Sequence, residues 1–294
     1  MTKARGRFAP SPSGRMHLGN LYTALLSWLS VRRQGGEWIL RIEDLDPQRS
    51  KKEFAHLIED DLSWLGLDWD EGGLADKGAF GPYVQSRRHN LYNEALNKLK
   101  ALGVVYPCTC TRADIMATQA PHQSDGRIIY SRRCCPSDMP QQMDEPPVPH
   151  SVRLWVPDRT IEFEDGLAGH QEFNLDKDCG DFVLRRADGA WAYQLAVVVD
   201  DAMMGITEVI RGEDLLLSTA QQLYLYDLLG YNAPQFKHLP LVRNSEGQRL
   251  SKRDNSQSMD YLRSHFSPEE IIGRLAHIAG IIPNYRPIAA RDLI

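Results

Sequence analysis

Arg7-Phe8-Ala9-Pro10-Ser11-Pro12-Ser13-Gly14-Arg15-Met16-His17-Leu18-Gly19-Asn20 opens the chain with a loop containing two prolines and two glycines. Residues 21–31, directly after it, carry apolar side chains at helical spacing, so the loop is expected to feed a helix. The start of such a helix turns bare backbone N–H groups and the positive end of its dipole toward the loop. Gly14 and Gly19 leave room for a flat base against the backbone, and His17 adds a donor able to follow charge on a phosphate. Taken alone, the segment also fits a Pro-rich turn before an ordinary amphipathic helix. The rest of the chain has to choose.

Residues 37–43 form a short apolar run after Gly35-Gly36 and are expected to be a buried strand. With the preceding helix this makes a strand–helix–strand opening, the signature of a parallel α/β sheet. Glu43-Asp44-Leu45-Asp46-Pro47-Gln48-Arg49 then places carboxylates at the C-terminal edge of that strand, where open α/β sheets bind ligands. Glu43 ends a buried strand and needs a partner there, whereas Asp44 and Asp46 also suit caps of a helix over residues 50–65. Residues 68–82 read as a surface loop, and residues 86–102 as a helix with Leu91, Ala95, Leu96 and Leu99 on one stripe.

Composition narrows the class. A formal charge of −5 gives no global basic footprint, so nucleic acid can be met only through a local face. Five cysteines, an odd number bunched mostly between 108 and 135, do not form a disulfide framework. There is no apolar leader at the N-terminus and no window that approaches a membrane span, so a cytoplasmic chain without membrane attachment is expected.

From Tyr106 the character changes. Cys108-Thr109-Cys110, then Ile129-Tyr130 and Cys134-Cys135, bracket polar sequence without periodicity. A Cys-x-Cys pair with a later cysteine suggests a tetrahedral zinc site pinning a long loop. The fourth ligand is open among Tyr130, Cys135 and His122; chemistry alone favours thiolate or imidazole over phenolate. Residues 140–149, with their prolines, read as a linker or extended edge.

Residues 151–163 look like a strand pair turning at Pro157-Asp158, and residues 181–184 and 191–199 like further strands. The apolar run 195–199 suits a strand buried on both faces and ends in Asp200-Asp201. Residues 208–214 repeat the design of an apolar strand ending in charge, with Arg211 as an anion anchor beside Arg7. A helix over 218–229 follows, with Asp214 and Ser218 as possible caps. Residues 243–253 form a loop with four cations in which Lys252 could offset charge at a leaving pyrophosphate. Ser267-Pro268-Glu269-Glu270 then caps one short final helix.

These motifs, in this order, resemble the glutamyl group of class I aminoacyl-tRNA synthetases. Residues 10–20 are similar to the HIGH signature in the form that group uses, and Arg249-Leu250-Ser251-Lys252-Arg253 resembles the KMSKS signature. Residues 41–46 and 193–214 also look like that group. The resemblance implies an α/β fold: a Rossmann-like class I synthetase catalytic core with an inserted zinc-containing α+β subdomain and a short helical C-terminal region. Residues 1–105 and 181–238 would be the two halves of the catalytic domain, 106–180 the insertion, and 239–294 the KMSKS-like loop with the helical end. About forty residues follow Lys252, too few for the helical anticodon-binding domain of glutamyl-tRNA synthetases. The resemblance therefore narrows to the glutamyl-Q tRNA(Asp) synthetase family. Its members activate glutamate with ATP and transfer it to queuosine at the wobble position of tRNA(Asp).

What the resemblance implies for residues is specific. His17 and Lys252 bracket the phosphates as the catalytic pair, and Pro10, Ser13, Gly14, Gly19, Asn20 and Ser251 complete an ATP site in which magnesium accompanies the nucleotide. Arg7, Ser11, Glu43, Tyr193 and Arg211 form the glutamate pocket, with Glu43 for the ammonium and the two arginines for the carboxylates. The family's zinc pattern, Cys-x-Cys then Tyr-x3-Cys, falls on Cys108, Cys110, Tyr130 and Cys134. The expected partners are L-glutamate, ATP and the queuosine-bearing anticodon loop of tRNA(Asp), met by a monomer. The rival readings are a truncated glutamyl-tRNA synthetase that charges a tRNA 3′ end, and a non-catalytic paralogue.

Overall fold

The computed structural model describes residues 3–117, 129–135, 145–241 and 258–294. Strand β1 (Arg5–Phe8) runs through the Pro-rich loop into α1 (Leu18–Arg33). The helix begins earlier than the apolar spacing suggests because His17 caps it: Nδ1 accepts from the Gly19 N–H, and Asn20 Oδ1 accepts from the His17 N–H. Next come β2 (Glu37–Leu40), α2 (Lys52–Trp64), the two-residue β3 (Glu71–Gly72) and α3 (His89–Ala101). A second set follows: β4 (Val105–Cys108), α4 (Arg112–Ala117), β5 (Ser151–Leu154), β6 (Thr160–Asp165), β7 (Gly169–Asn174) and β8 (Phe182–Arg185). The chain then returns through α5 (Tyr193–Met203), β9 (Glu208–Gly212), α6 (Leu216–Leu229) and β10 (Gln235–Leu239), and ends in α7 (Met259–His265) and α8 (Pro268–Ile278).

The main sheet has the order β10-β9-β1-β2-β3, and every pairing in it is parallel. The first strand of the chain is thus its centre, and the C-terminal ends of β9, β1 and β2 share one edge. Helix α1 buries Leu21, Ala24, Leu25, Trp28 and Val31 in a core with Trp38 and Leu40 of β2. The second set makes an antiparallel sheet, β4-β5-β8, and a separate hairpin, β6-β7.

Several expectations are corrected. Residues 193–203 are helix, not strand. Leu195 to Val199 are all buried, and an apolar run enclosed on every side carries no period that separates strand from helix. β5 and β6 do not pair with each other; the corner at Pro157 turns the chain from one sheet into the other. Neither Asp44 nor Asp46 caps α2, whose N-cap is Lys51 with no side-chain bond. Asp44 instead accepts from the Ser86 N–H and hydroxyl, and Asp46 from the Gln48 N–H. Likewise the N-cap of α6 is Leu215, with no side-chain cap from Asp214 or Ser218. Helix α7 was not expected. The Ser267 cap of α8 is present, reciprocated by Glu270.

Helix α8 packs so closely under the final segment that a β-carbon at Gly273 would lie 2.0 Å from the Arg286 carbonyl oxygen. Gly273→Ala should therefore lower stability by about 1–3 kcal/mol, read from the urea midpoint.

Candidate active site

At the shared strand edge lies a cavity of about 460 Å³ lined by Arg7, Pro10, Ser11, Ser13, Gly14, Asn20, Glu43, Tyr193 and Arg211. His17 and Gly19 line a neighbouring recess of about 190 Å³ that shares Asn20, Thr23 and Gly212 with the cavity. The structure thus gathers the predicted side chains of the first 43 residues with Tyr193 and Arg211 from the second half of the chain. Ser251, Lys252 and His122 lie outside the described residues.

Two-residue periodicity places Arg41 and Glu43 on the same side of the extended segment leaving β2. Arg41 is fully buried. Its Nη1 donates to Asp201 Oδ1 (2.6 Å) and its Nη2 to Glu43 Oε1 (3.0 Å). Arg7 Nε donates to the same Asp201 oxygen at 3.3 Å. Neighbouring Asp200 accepts from Arg88 Nε (2.6 Å), Gln85 Nε2 (2.7 Å) and the Tyr92 hydroxyl (3.0 Å to Oδ2). Thus α5 delivers two carboxylates: Asp200 ties it to the α3 region and lies 3.7 Å from Arg41 Nε, while Asp201 fixes Arg7 and Arg41. Burial opposes ionisation of Asp201, but Arg41 and Arg7 more than offset it and hold its pKa below the usual carboxylate range. Glu43 moves the other way: burial pushes it up, with Arg41 and Arg7 opposing.

Arg211, buried on β9, is held by neutral groups. Nε donates to His238 Nε2 (3.0 Å), Nη2 to Thr219 Oγ1 (2.6 Å) and Nη1 to the Tyr193 hydroxyl (3.4 Å). The guanidinium also lies over the Phe236 ring, 5.0 Å from its centroid. Among the described residues no carboxylate forms an ion pair with it. Burial lowers its pKa, yet a guanidinium stays protonated. A buried cation without an acid, bordering an open cavity, calls for an anionic ligand.

Asp201, Thr219 and His238 were not anticipated as parts of the site. Only Asp201 left a trace in the sequence, as half of an acid pair ending an apolar run.

Away from the cavity, the Sγ atoms of Cys108, Cys110 and Cys134 all lie within 4.8 Å of one another. The Tyr130 hydroxyl is among them, 3.3 Å from Cys108 Sγ and 3.4 Å from Cys110 Sγ. Burial works against the Cys134 thiolate, but hydrogen bonds led by that from Tyr130 bring the thiol down to about 6. Three thiols and a phenol converging on one point are compatible with a tetrahedral zinc ion. Cys135 is buried nearby but is not a member of the thiol cluster.

Residues 3–285 match the family model described as tRNA synthetases class I (E and Q), catalytic domain. The Glutamyl-Q tRNA(Asp) synthetase of Symbiobacterium thermophilum is 48% identical, over 98% of this chain and 90% of the relative. The protein of the same name from Nitratidesulfovibrio vulgaris is 46% identical, over 99% of this chain and 90% of its own length. The chain belongs to the glutamyl-Q tRNA(Asp) synthetase family. It is a ligase-type enzyme with the class I α/β catalytic fold. Among solved structures, a glutamate tRNA ligase from Elizabethkingia meningosepticum, crystallised with its amino acid, superposes with a TM-score of 0.84 at 30% identity. That match covers 99% of this chain, which spans 64% of the ligase. A methionyl-tRNA synthetase from Mycobacterium tuberculosis, 10% identical with a TM-score of 0.54, shares the fold alone.

Arg41→Met removes the cation shared by Asp201 and Glu43 and should cost about 3–5 kcal/mol at neutral pH, measured by urea unfolding. Because Asp201 titrates below its unfolded value, its stabilisation is present above about pH 3.9 and lost as pH falls through the lower folded-state pKa. The gap between wild type and variant should therefore narrow on acidification.

Proposed function

We propose that the chain activates L-glutamate with ATP, without tRNA, and transfers the glutamyl group to queuosine at the wobble position of tRNA(Asp). The observation that carries this reading is Arg211, a buried cation with no acidic partner among the described residues, lining the same cavity as Glu43. Glutamate offers one ammonium and two carboxylates. Glu43 receives the ammonium, Arg7 and Arg211 the carboxylates, and Ser11 and Tyr193 supply neutral hydrogen bonds.

In the first step the α-carboxylate attacks the α-phosphorus of ATP in line, and pyrophosphate leaves with the bond electrons. The protein orients the reactants and stabilises charge. Since His17 Nδ1 accepts from the Gly19 N–H, a neutral ring carries its proton on Nε2, a donor suited to a phosphate oxygen. Pro10, Ser13, Gly14, Gly19 and Asn20 hold the nucleotide beside the start of α1; Ser251 and Lys252 are assigned to the ATP site from the KMSKS-like motif, and magnesium would accompany the phosphates. In the second step a hydroxyl of the queuosine ring attacks the glutamyl carbonyl of the mixed anhydride and AMP leaves, so no protein nucleophile is needed. The relatives' name favours queuosine over a tRNA 3′ end as acceptor.

A structural zinc ion on Cys108, Cys110, Tyr130 and Cys134 completes the reading; bound there, it would pin the loop between β4 and β5. The enzyme acts as a cytoplasmic monomer. No helix among the described residues is long and apolar enough to cross a membrane.

Glutamate-dependent ATP–pyrophosphate exchange should proceed without RNA, and nuclease fragments of treated tRNA(Asp) should gain the mass of one glutamyl group at queuosine. Charging of queuosine-lacking tRNA(Glu) would overturn the acceptor assignment. His17→Ala should slow exchange by about 10²–10³-fold, the usual cost of one donor to a charged transition state. Purified protein should carry one zinc per chain by plasma mass spectrometry, and Cys110→Ser should lose it.

A further inference from the structure

Parallel register sets His238 of β10 directly beside Arg211 of β9. Asp165, at the end of β6, reaches the other side of the imidazole. Its Oδ1 accepts from the backbone N–H groups of Leu167 (3.0 Å), Ala168 (2.8 Å) and His238 (3.0 Å), and its Oδ2 lies 2.6 Å from His238 Nδ1. Both side chains are completely buried. We propose that Asp165 and His238 are positioning residues: Asp165 keeps the imidazole proton on Nδ1, so that Nε2 accepts from Arg211 and aims its guanidinium at substrate without neutralising it. This rests on the reading that Arg211 holds a glutamate carboxylate.

An ionised carboxylate only accepts, and a guanidinium only donates. The imidazole between them must therefore donate from Nδ1 and accept at Nε2, which is the neutral ring in one tautomer. Burial disfavours the Asp165 charge, but the donors around it more than compensate, and the group lies below the usual carboxylate range. Burial, then the neighbouring Arg211, push the His238 pKa down and keep the ring neutral. Thr219 behaves alike: its oxygen accepts from Arg211 Nη2, and its hydroxyl donates to the Leu215 carbonyl oxygen 3.2 Å away. Nε and Nη2 are thus fixed by uncharged acceptors, and Nη1 points to Tyr193 at the cavity. A carboxylate in place of His238 would hold the fork equally well but would quench the attraction for a substrate carboxylate. Histidine backed by aspartate supplies orientation without that loss.

The test combines nitrogen NMR of the imidazole in the substrate-free wild type with exchange kinetics of variants. The wild type should show Nδ1 protonated and Nε2 as an acceptor at neutral pH. His238→Leu, which strands a buried donor, should raise the glutamate KM about tenfold or more while leaving the ATP KM unchanged. His238→Gln, whose amide oxygen can accept from Arg211, should recover most of the affinity. An Nε2-protonated or doubly protonated ring overturns the proposal independently of any substrate. So does a parallel rise of both KM values in His238→Leu. A wild-type glutamate KM in His238→Leu beside a raised one in Arg211→Gln overturns the positioning role alone. A wild-type KM in Arg211→Gln overturns the glutamate reading itself, and this proposal with it.

Discussion

A guanidinium with no solvent exposure, Arg41, joins the segment that leaves β2 to helix α5. One arm reaches Asp201 at the end of α5 and the other reaches Glu43, two residues further along its own segment. Burying these charges costs desolvation energy that their attraction only partly returns, so the cluster is poorly explained as a source of stability. Its geometric effect is clear. Glu43 and Arg7, which face the cavity, each have one edge occupied by a partner that fixes their direction. Asp200, the adjacent residue, binds Arg88, Gln85 and Tyr92 and so prevents α5 from rotating about that contact.

The cavity is asymmetric in how its charges are compensated. On one side Glu43 is pushed toward the protonated form by burial and drawn back by arginines. On the other, Arg211 is satisfied in hydrogen bonds but not in charge. Hydrogen bonding and charge balance are separable, and the site separates them: orientation comes from a histidine, a threonine and a tyrosine, while the electrostatic complement is left to the ligand. In the neighbouring recess the same economy appears in His17, one ring nitrogen of which closes the first turn of α1.

What the sequence disclosed was local. Loop 7–20, the acid ending the second strand, Arg211 and the Cys-x-Cys pair all announce themselves within a few residues, because each is a single turn, strand end or ligand spacing. What stayed hidden depends on distant partners. Arg41 and Asp201 are 160 residues apart, and nothing near either names the other. His238 reads as an ordinary strand residue until register places it beside Arg211. Helix α5 misled because five consecutive buried apolar residues suit a central strand as well as an enclosed helix. Preference for thiolate or imidazole over phenolate pointed to Cys135 or His122, yet the side chain standing among the three thiols is Tyr130; donor chemistry ranks candidates but does not fold the loop that presents them.

The placement of β1 has a consequence for synthesis. Its neighbour β9 lies about 200 residues downstream, with Arg5 bonded to Thr207 across a separation of 202. At about 5–20 residues per second, the first strand waits roughly 10–40 s on the ribosome before that edge can be covered. During this interval β1 presents an open edge of unpaired backbone groups, and Arg7, Arg41 and Glu43 lack the aspartate that organises them. The part of the chain made first is the last to reach its final surroundings, so a nascent chain is most vulnerable to wrong pairing in the segment that lines the cavity.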